Sequence, residues 1–199
     1  GNFFMVRDAA KEFGYETIRM FMLSAHYRTP LNYSAESLKM NKTSLERLYE
    51  SRNNLEFRIS KAAGDTMTAE ESAKLDALGQ HRIHFIEAMD DDLNTADALS
   101  SVFELVRDVN AYMGANQDAT KAFLSGAHAL LMELTGVLGL VQQRTEENID
   151  TEIEELIAQR AAAKKNKDFA EADRIREYLL NEKGVVIKDT RQGTQWSRV

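Results

Sequence analysis

The side chains best suited to hold a polyanion concentrate in the last fifty residues of this 199-residue chain. From Ala158 to Val199, ten lysines and arginines stand against six carboxylates, a local charge of +4 within a net charge of −7. Lys164, Lys165 and Lys167 crowd one polar break, Arg176 follows, and Phe169 and Trp196 lie among them. Asp168, Asp173, Asp189, Gln192 and Thr194 add hydrogen-bonding groups. Phosphates respond to a positive patch within a Debye length, about 8–10 Å, whatever the total charge. A solvated helix face is the plain alternative.

Two other clusters invite chemistry. Asp90-Asp91-Asp92 offers three carboxylates for a metal or for acid–base work. Consecutive helical residues point about 100° apart and do not converge on one ion. The run also lacks the alternate ligands and central glycine of a calcium loop. It reads instead as a helix end, with Thr95 capping the next helix. His81 and His84 share a helix face at i,i+3, but no third ligand is obvious, so both read as surface or packing residues.

The elements that position these groups are mostly helical. Arg7 to Phe13 forms a short helix stopped by Gly14, and Tyr15 to His26 forms a second. Pro30 closes that region by biasing Thr29 away from helical geometry. Ser34 caps a long helix carrying Leu38, Leu45, Leu48, Tyr49, Leu55 and Ile59. Ser60 to Met67, containing Gly64, reads as a mobile loop. Thr68 to Glu71 then restarts a helix with a capping-box pattern. Leu75, Leu78, Ile83, Ile86 and Met89 mark its expected buried side. Leu99, Val102, Phe103, Val106, Val109 and Met113 give a regular stripe, as do Phe123, Ala127, Leu130, Leu131, Leu134 and Leu138. Four such helices with short connections pack most simply as an antiparallel bundle. Gln142 to Asn148 is a polar linker. Beyond it come a helix from Thr151, another from Asp168 to Gly184, and two short strands around Gln192-Gly193. The fold class is therefore mainly α: a helical bundle followed by a small α+β domain.

Composition removes several functions. With no cysteine there is no disulfide framework, thiol nucleophile or Cys-based zinc site. No apolar run approaches the roughly 18 residues that span a membrane, and the default expectation is a soluble cytoplasmic protein.

Several motifs, in this order, resemble the cysteinyl-tRNA synthetase family just after its catalytic core. They are Phe4-x-Val6-Arg7-Asp8, Arg19-x-Phe21 to Arg28, Leu31 to Ser34, Met89 to Thr95, and Gln192-Gly193-Thr194-x-Trp196. Gly1-Asn2-Phe3-Phe4 resembles the end of that family's KMSKSLGN signature and its sequel. The resemblance implies a stem-contact region at 1–33, a DALR-type bundle at 34–145 and an anticodon-binding domain at 150–199. It further implies tRNA-Cys as partner, a parent enzyme that is monomeric and cytoplasmic, and ATP and zinc held by that parent outside this chain. No catalytic residue is expected here, and the chain alone is expected to be inactive.

RNA readers splay bases onto aromatic faces, hydrogen-bond their edges and place cations on phosphates. In that scheme Phe169 and Trp196 stack, Asp173 and Asp189 accept from base amino groups, and Arg176, Lys164, Lys165 and Lys167 take phosphate or guanine. Asp168, Gln192 and Thr194 complete the candidate set. The family pattern often has tryptophan at Phe169 and Gly-Pro at Thr190-Arg191. Two alternatives are the related cysteine–sugar ligase of mycothiol synthesis and a helical protein-interaction scaffold.

Overall fold

The computed structural model describes residues 5–142, 147–190 and 193–198, in two compact units, residues 1–142 and 143–199. Among the described residues the first holds six helices: α1 (Val6–Phe13), α2 (Tyr15–Leu23), α3 (Ala35–Lys61), α4 (Ala69–Asp90), α5 (Thr95–Ala115) and α6 (Lys121–Val137). The motif at Gly1–Phe4 lies outside the described residues. Apolar residues at three- and four-residue steps bring α3 to α6 onto one core, including Leu48, Leu55, Leu78, Phe85, Leu105, Phe123 and Leu131. A second cluster of Ala9, Phe21 and Leu38 joins α1 and α2 to the start of α3.

Buried polar groups fix how the helices meet. Arg58, near the end of α3, donates to the carbonyls of Met113, Asn116 and Gln117 at 2.7–2.8 Å. These carbonyls lie in the last turn of α5 and just beyond it. The ends of α3 and α5 therefore coincide, and consecutive long helices run antiparallel. Glu71 caps two helices at once. It accepts from the Thr68 amide at 2.9 Å, closing the capping box of α4. It also accepts from the Thr120 amide at 2.7 Å and the Thr120 hydroxyl at 2.9 Å, at the start of α6. Burial pushes this carboxyl up, but the hydrogen bonds from Thr120 and Thr68 outweigh it and hold the group below the usual glutamate range.

Several sequence expectations change here. The segment expected to be a mobile loop from Ser60 is helical through Lys61. Its remainder is tied down: the Ala63 and Gly64 carbonyls accept from the Lys121 and Ala122 amides at 3.0 and 3.1 Å. Those amides belong to the first turn of α6, which has no internal acceptors for them. Ile83 and Ile86 are 46% and 40% exposed rather than buried. The buried stripe of α4 runs instead through Leu78, His81 and Phe85, because His81 finds Asp108 on α5 at 3.0 Å. Asn94, not Thr95, caps α5, its side chain accepting from the Asp97 amide at 3.2 Å. The second helix ends at Leu23, three residues short of His26.

That shortening releases His26, Tyr27 and Arg28 to meet the acidic corner. Tyr27 donates to Asp92 at 2.9 Å, Arg28 pairs with it at 3.0 Å, and His26 Nε2 lies 3.1 Å from its carbonyl. Asp92 and Leu93 both sit at positive φ, 55° and 56°. One carboxylate of the three thus anchors a corner.

The bundle closes where its last helix ends. Gly139, at φ 64°, ends α6 in a Schellman turn, with the Leu140 amide donating to Thr135 at 2.9 Å. Arg19 donates to the Gly139 carbonyl at 2.6 Å, and a Cβ there would lie 2.5 Å from its Nη1. Two residues on, buried Val141 stands at φ 60°, an unusual conformation for a β-branched residue. Its amide donates to Glu16.

The second unit contains α7 (Glu147–Lys165), α8 (Phe169–Lys183), β1 (Val185–Thr190) and β2 (Gly193–Arg198). α7 begins four residues before Thr151, whose side chain lies outside the described set. Gly184, left-handed at φ 62°, ends α8 and turns the chain into β1. The antiparallel register runs from Val185 opposite Arg198 to Thr190 opposite Gly193. Ile153, Ile175, Leu179, Val185 and Ile187 form the core, with Leu156, Ile157 and Trp196 packed on it.

Candidate nucleic-acid interface

Strand alternation puts Val185, Ile187 and Asp189 on one face of the hairpin, beside their partners Trp196 and Thr194. Helical spacing puts Ile153, Ile157, Arg160 and Lys164 on one side of α7. The two rows meet. Their apolar members fill the core, and their polar members close the open end. Arg160, only 5% exposed, donates to both oxygens of Asp189 at 3.0 and 3.1 Å. Lys164 adds a bond at 2.6 Å and the Thr194 hydroxyl one at 2.8 Å. These hydrogen bonds, Arg160 first, then Lys164 and Thr194, hold the Asp189 carboxyl far below the usual range.

The turn after α7 explains the lysine run. The Lys167 and Asp168 amides donate back to Lys164 and Ala163 at 3.0 and 2.9 Å, again the Schellman pattern. Lys167 takes the left-handed position at φ 60°, where glycine is usual. Asp168 then caps α8, its Oδ1 accepting from the Glu171 amide at 3.1 Å. The cap engages one of its two carboxylate oxygens. Lys164, Lys165 and Lys167 stay exposed around this three-residue turn.

On α8, Phe169, Asp173 and Arg176 follow at steps of four and three and share one exposed face. Phe169 is 63% exposed, so its ring offers a platform to a ligand. Trp196, expected to stack as well, is half-buried against the core and opposite Ile187. Gln192 lies outside the described residues.

The structure therefore sorts the candidates into two groups. Phe169, Asp173 and Arg176 form an open helical face that starts at the lysine turn. Asp189, Thr194 and Lys164 form a bonded cluster on Arg160. In the composition of the tail Arg160 registers only as charge. Its place in the stripe of Ile153 and Ile157 was the available signal, since a cation on a buried face needs an anion opposite.

Among the described residues no group of three or more His, Cys, Asp or Glu side chains is placed to hold a metal ion. None of the described helices is long and apolar enough to cross a membrane.

Comparison with known proteins gives three family matches along the chain. Residues 1–43 match the class I (C) tRNA synthetase catalytic domain, 84–142 the DALR domain, and 146–196 the cysteinyl-tRNA ligase anticodon binding domain. A cysteine–tRNA ligase of Symbiobacterium thermophilum is 47% identical over all 199 residues, which are 42% of its own length. That of Clostridioides difficile is 45% identical with the same coverage. That of Lachnospira eligens is 42% identical over 198 residues, 41% of its length. The chain thus spans about two fifths of these curated relatives.

Proposed function

The chain belongs, as its C-terminal part, to the cysteinyl-tRNA ligase family, and from that premise we propose that it selects tRNA-Cys through the GCA anticodon. The whole enzyme would attach cysteine to that tRNA using ATP. The observation that carries this reading is the open Phe169–Asp173–Arg176 face beside the lysine turn, inside the segment matched to the anticodon-binding family. Phe169 would stack one base, as exposed aromatics do in single-strand binders. Asp173 would accept from a base edge, and Arg176 would take guanine or phosphate. Lys165 and Lys167 would supply attraction to any RNA backbone.

The relatives' activity implies ATP and zinc for the whole enzyme. This chain has no cysteine, and the described residues contain no metal-ligating cluster. The sequence holds no phosphate-cradling glycine loop. The parent is proposed to be a cytoplasmic monomer.

Titrating the chain with tRNA-Cys and a non-cognate tRNA at two salt concentrations tests the reading. Affinity for both should fall with salt while the cognate preference persists, since base contacts, unlike phosphate contacts, release few counterions. Equal affinity for the two tRNAs at both salts would overturn it.

A further inference from the structure

The Asp189 cluster holds more donors than a fold-stabilising ion pair requires. A carboxylate has about four acceptor positions. Here all four are filled: Oδ1 by Arg160 and Thr194, Oδ2 by Arg160 and Lys164. A buried ion pair is by itself weak evidence of stabilisation, because desolvation offsets the attraction. In this pair the Arg160 Nε is buried with no hydrogen-bond partner. Such an arrangement costs stability relative to an apolar pair, yet it fixes the plane of the carboxylate through two parallel bonds.

The three donor residues differ in how readily they leave. Arg160 is buried, and Thr194 is the cross-strand partner of Asp189, fixed by the register. Lys164 lies in the last turn of α7 with its side chain 41% exposed, and it ends a flexible four-carbon stem. Asp189 is itself 49% exposed at the side chain, so its outer edge faces solvent once the lysine moves.

We propose that Arg160 is a positioning residue for base readout and that Lys164 is an exchangeable donor. The exocyclic amino group of an anticodon base replaces Lys164 on Oδ2, and the released ammonium pairs with an RNA phosphate. This inference rests on the anticodon reading above. The exchange leaves no buried charge unpaired, because Arg160 continues to neutralise Asp189 throughout. It substitutes one N–H donor for another on the same oxygen, and the displaced cation meets the anion that accompanies every base. Asp189 stays ionised across the pH range of such binding, which keeps it an acceptor.

The test uses the whole chain and three stem–loop RNAs with loops GCA, GUA and GCI, where uridine and inosine each remove one exocyclic amino group. The unmodified chain should bind at least one altered loop about tenfold more weakly than GCA. Arg160→Met should bring that ratio near one, and Arg160→Lys, with one donor in place of the fork, should give an intermediate ratio. Lys164→Met should keep the ratio while weakening all three loops and lowering the salt slope by roughly 0.7, one single-strand phosphate. Thermal unfolding separates folding from readout, and if Arg160→Met does not fold, Arg160→Lys decides alone. A folded Arg160 variant with the full ratio would overturn the proposal, as would loss of the ratio in Lys164→Met. Failure of the unmodified chain to bind GCA would instead overturn the anticodon reading, and this inference with it.

Discussion

Lys167 occupies a backbone conformation that costs an L-residue about 1–2 kcal/mol, at the point where the turn between α7 and α8 closes. Lys167→Gly should therefore raise the stability of the second unit by roughly 0.5–1 kcal/mol, the strain relief exceeding the added unfolded-state entropy. The same change should weaken RNA binding at low salt more than at high salt, since it removes a backbone-directed cation. Melting curves and a salt titration check both. The two aromatics should separate as cleanly. Phe169 is exposed, so Phe169→Ala should leave the melting temperature nearly unchanged and cost about 1–3 kcal/mol of RNA affinity. Trp196 packs on the core, so Trp196→Ala should cost about 2 kcal/mol of stability, less than the full truncation penalty of a buried ring. If the losses fall the other way round, the assignments of platform and core are reversed.

At the scale of elements, the connections carry as much of the fold as the helices. Glu71 serves the first turns of both α4 and α6 through its two oxygens. Glu71→Ala should destabilise the bundle by about 3 kcal/mol, as expected when several hydrogen bonds to one buried charge are lost. The pH dependence has a defined sign. The folded carboxyl titrates below its unfolded value, so its contribution is present above the ordinary glutamate range, near 4.3. That contribution is lost as pH falls through the lower folded value. Denaturant midpoints of the parent and of Glu71→Gln should accordingly converge as pH is lowered through that window. The loop before α4 behaves as part of the same joint. Gly64 sits at φ 86°, and a Cβ there would lie 3.2 Å from Thr120 Cγ2. Gly64→Ala should cost about 1–2 kcal/mol, and the Lys121 and Ala122 amides should exchange slowly with deuterium. Rapid exchange at both amides would show that the loop does not cap α6.

At the scale of the molecule, the two units differ most in the depth of their cores. The first buries residues from all four long helices, and among the described residues the second has one apolar cluster of five buried side chains with three partly buried ones against it. A unit of under sixty residues is marginal on burial alone. The 143–199 unit should therefore lose its amide protection at lower temperature than α5, which site-resolved hydrogen exchange against temperature measures. Charge, apolar period and capping residues already determined the class in the sequence. They gave the long helices, the change to α+β near residue 150 and the basic tail, because each depends on residues within about four positions of one another. The family motifs added the expectation of an RNA partner. What lay beyond local reach was the pairing of polar groups distant in the chain. Asp189 meets Arg160 across 29 positions, Asp92 meets Tyr27 across 65, and Glu16 meets Val141 across 125. Periodicity could not tell that His81 would displace Ile83 and Ile86 from the core, since only the presence of Asp108 on the next helix makes a buried imidazole affordable. Nor could composition distinguish Asp189, bound by four donors, from Asp173 on an open helix face, because a carboxylate's availability is set by what the fold brings against it.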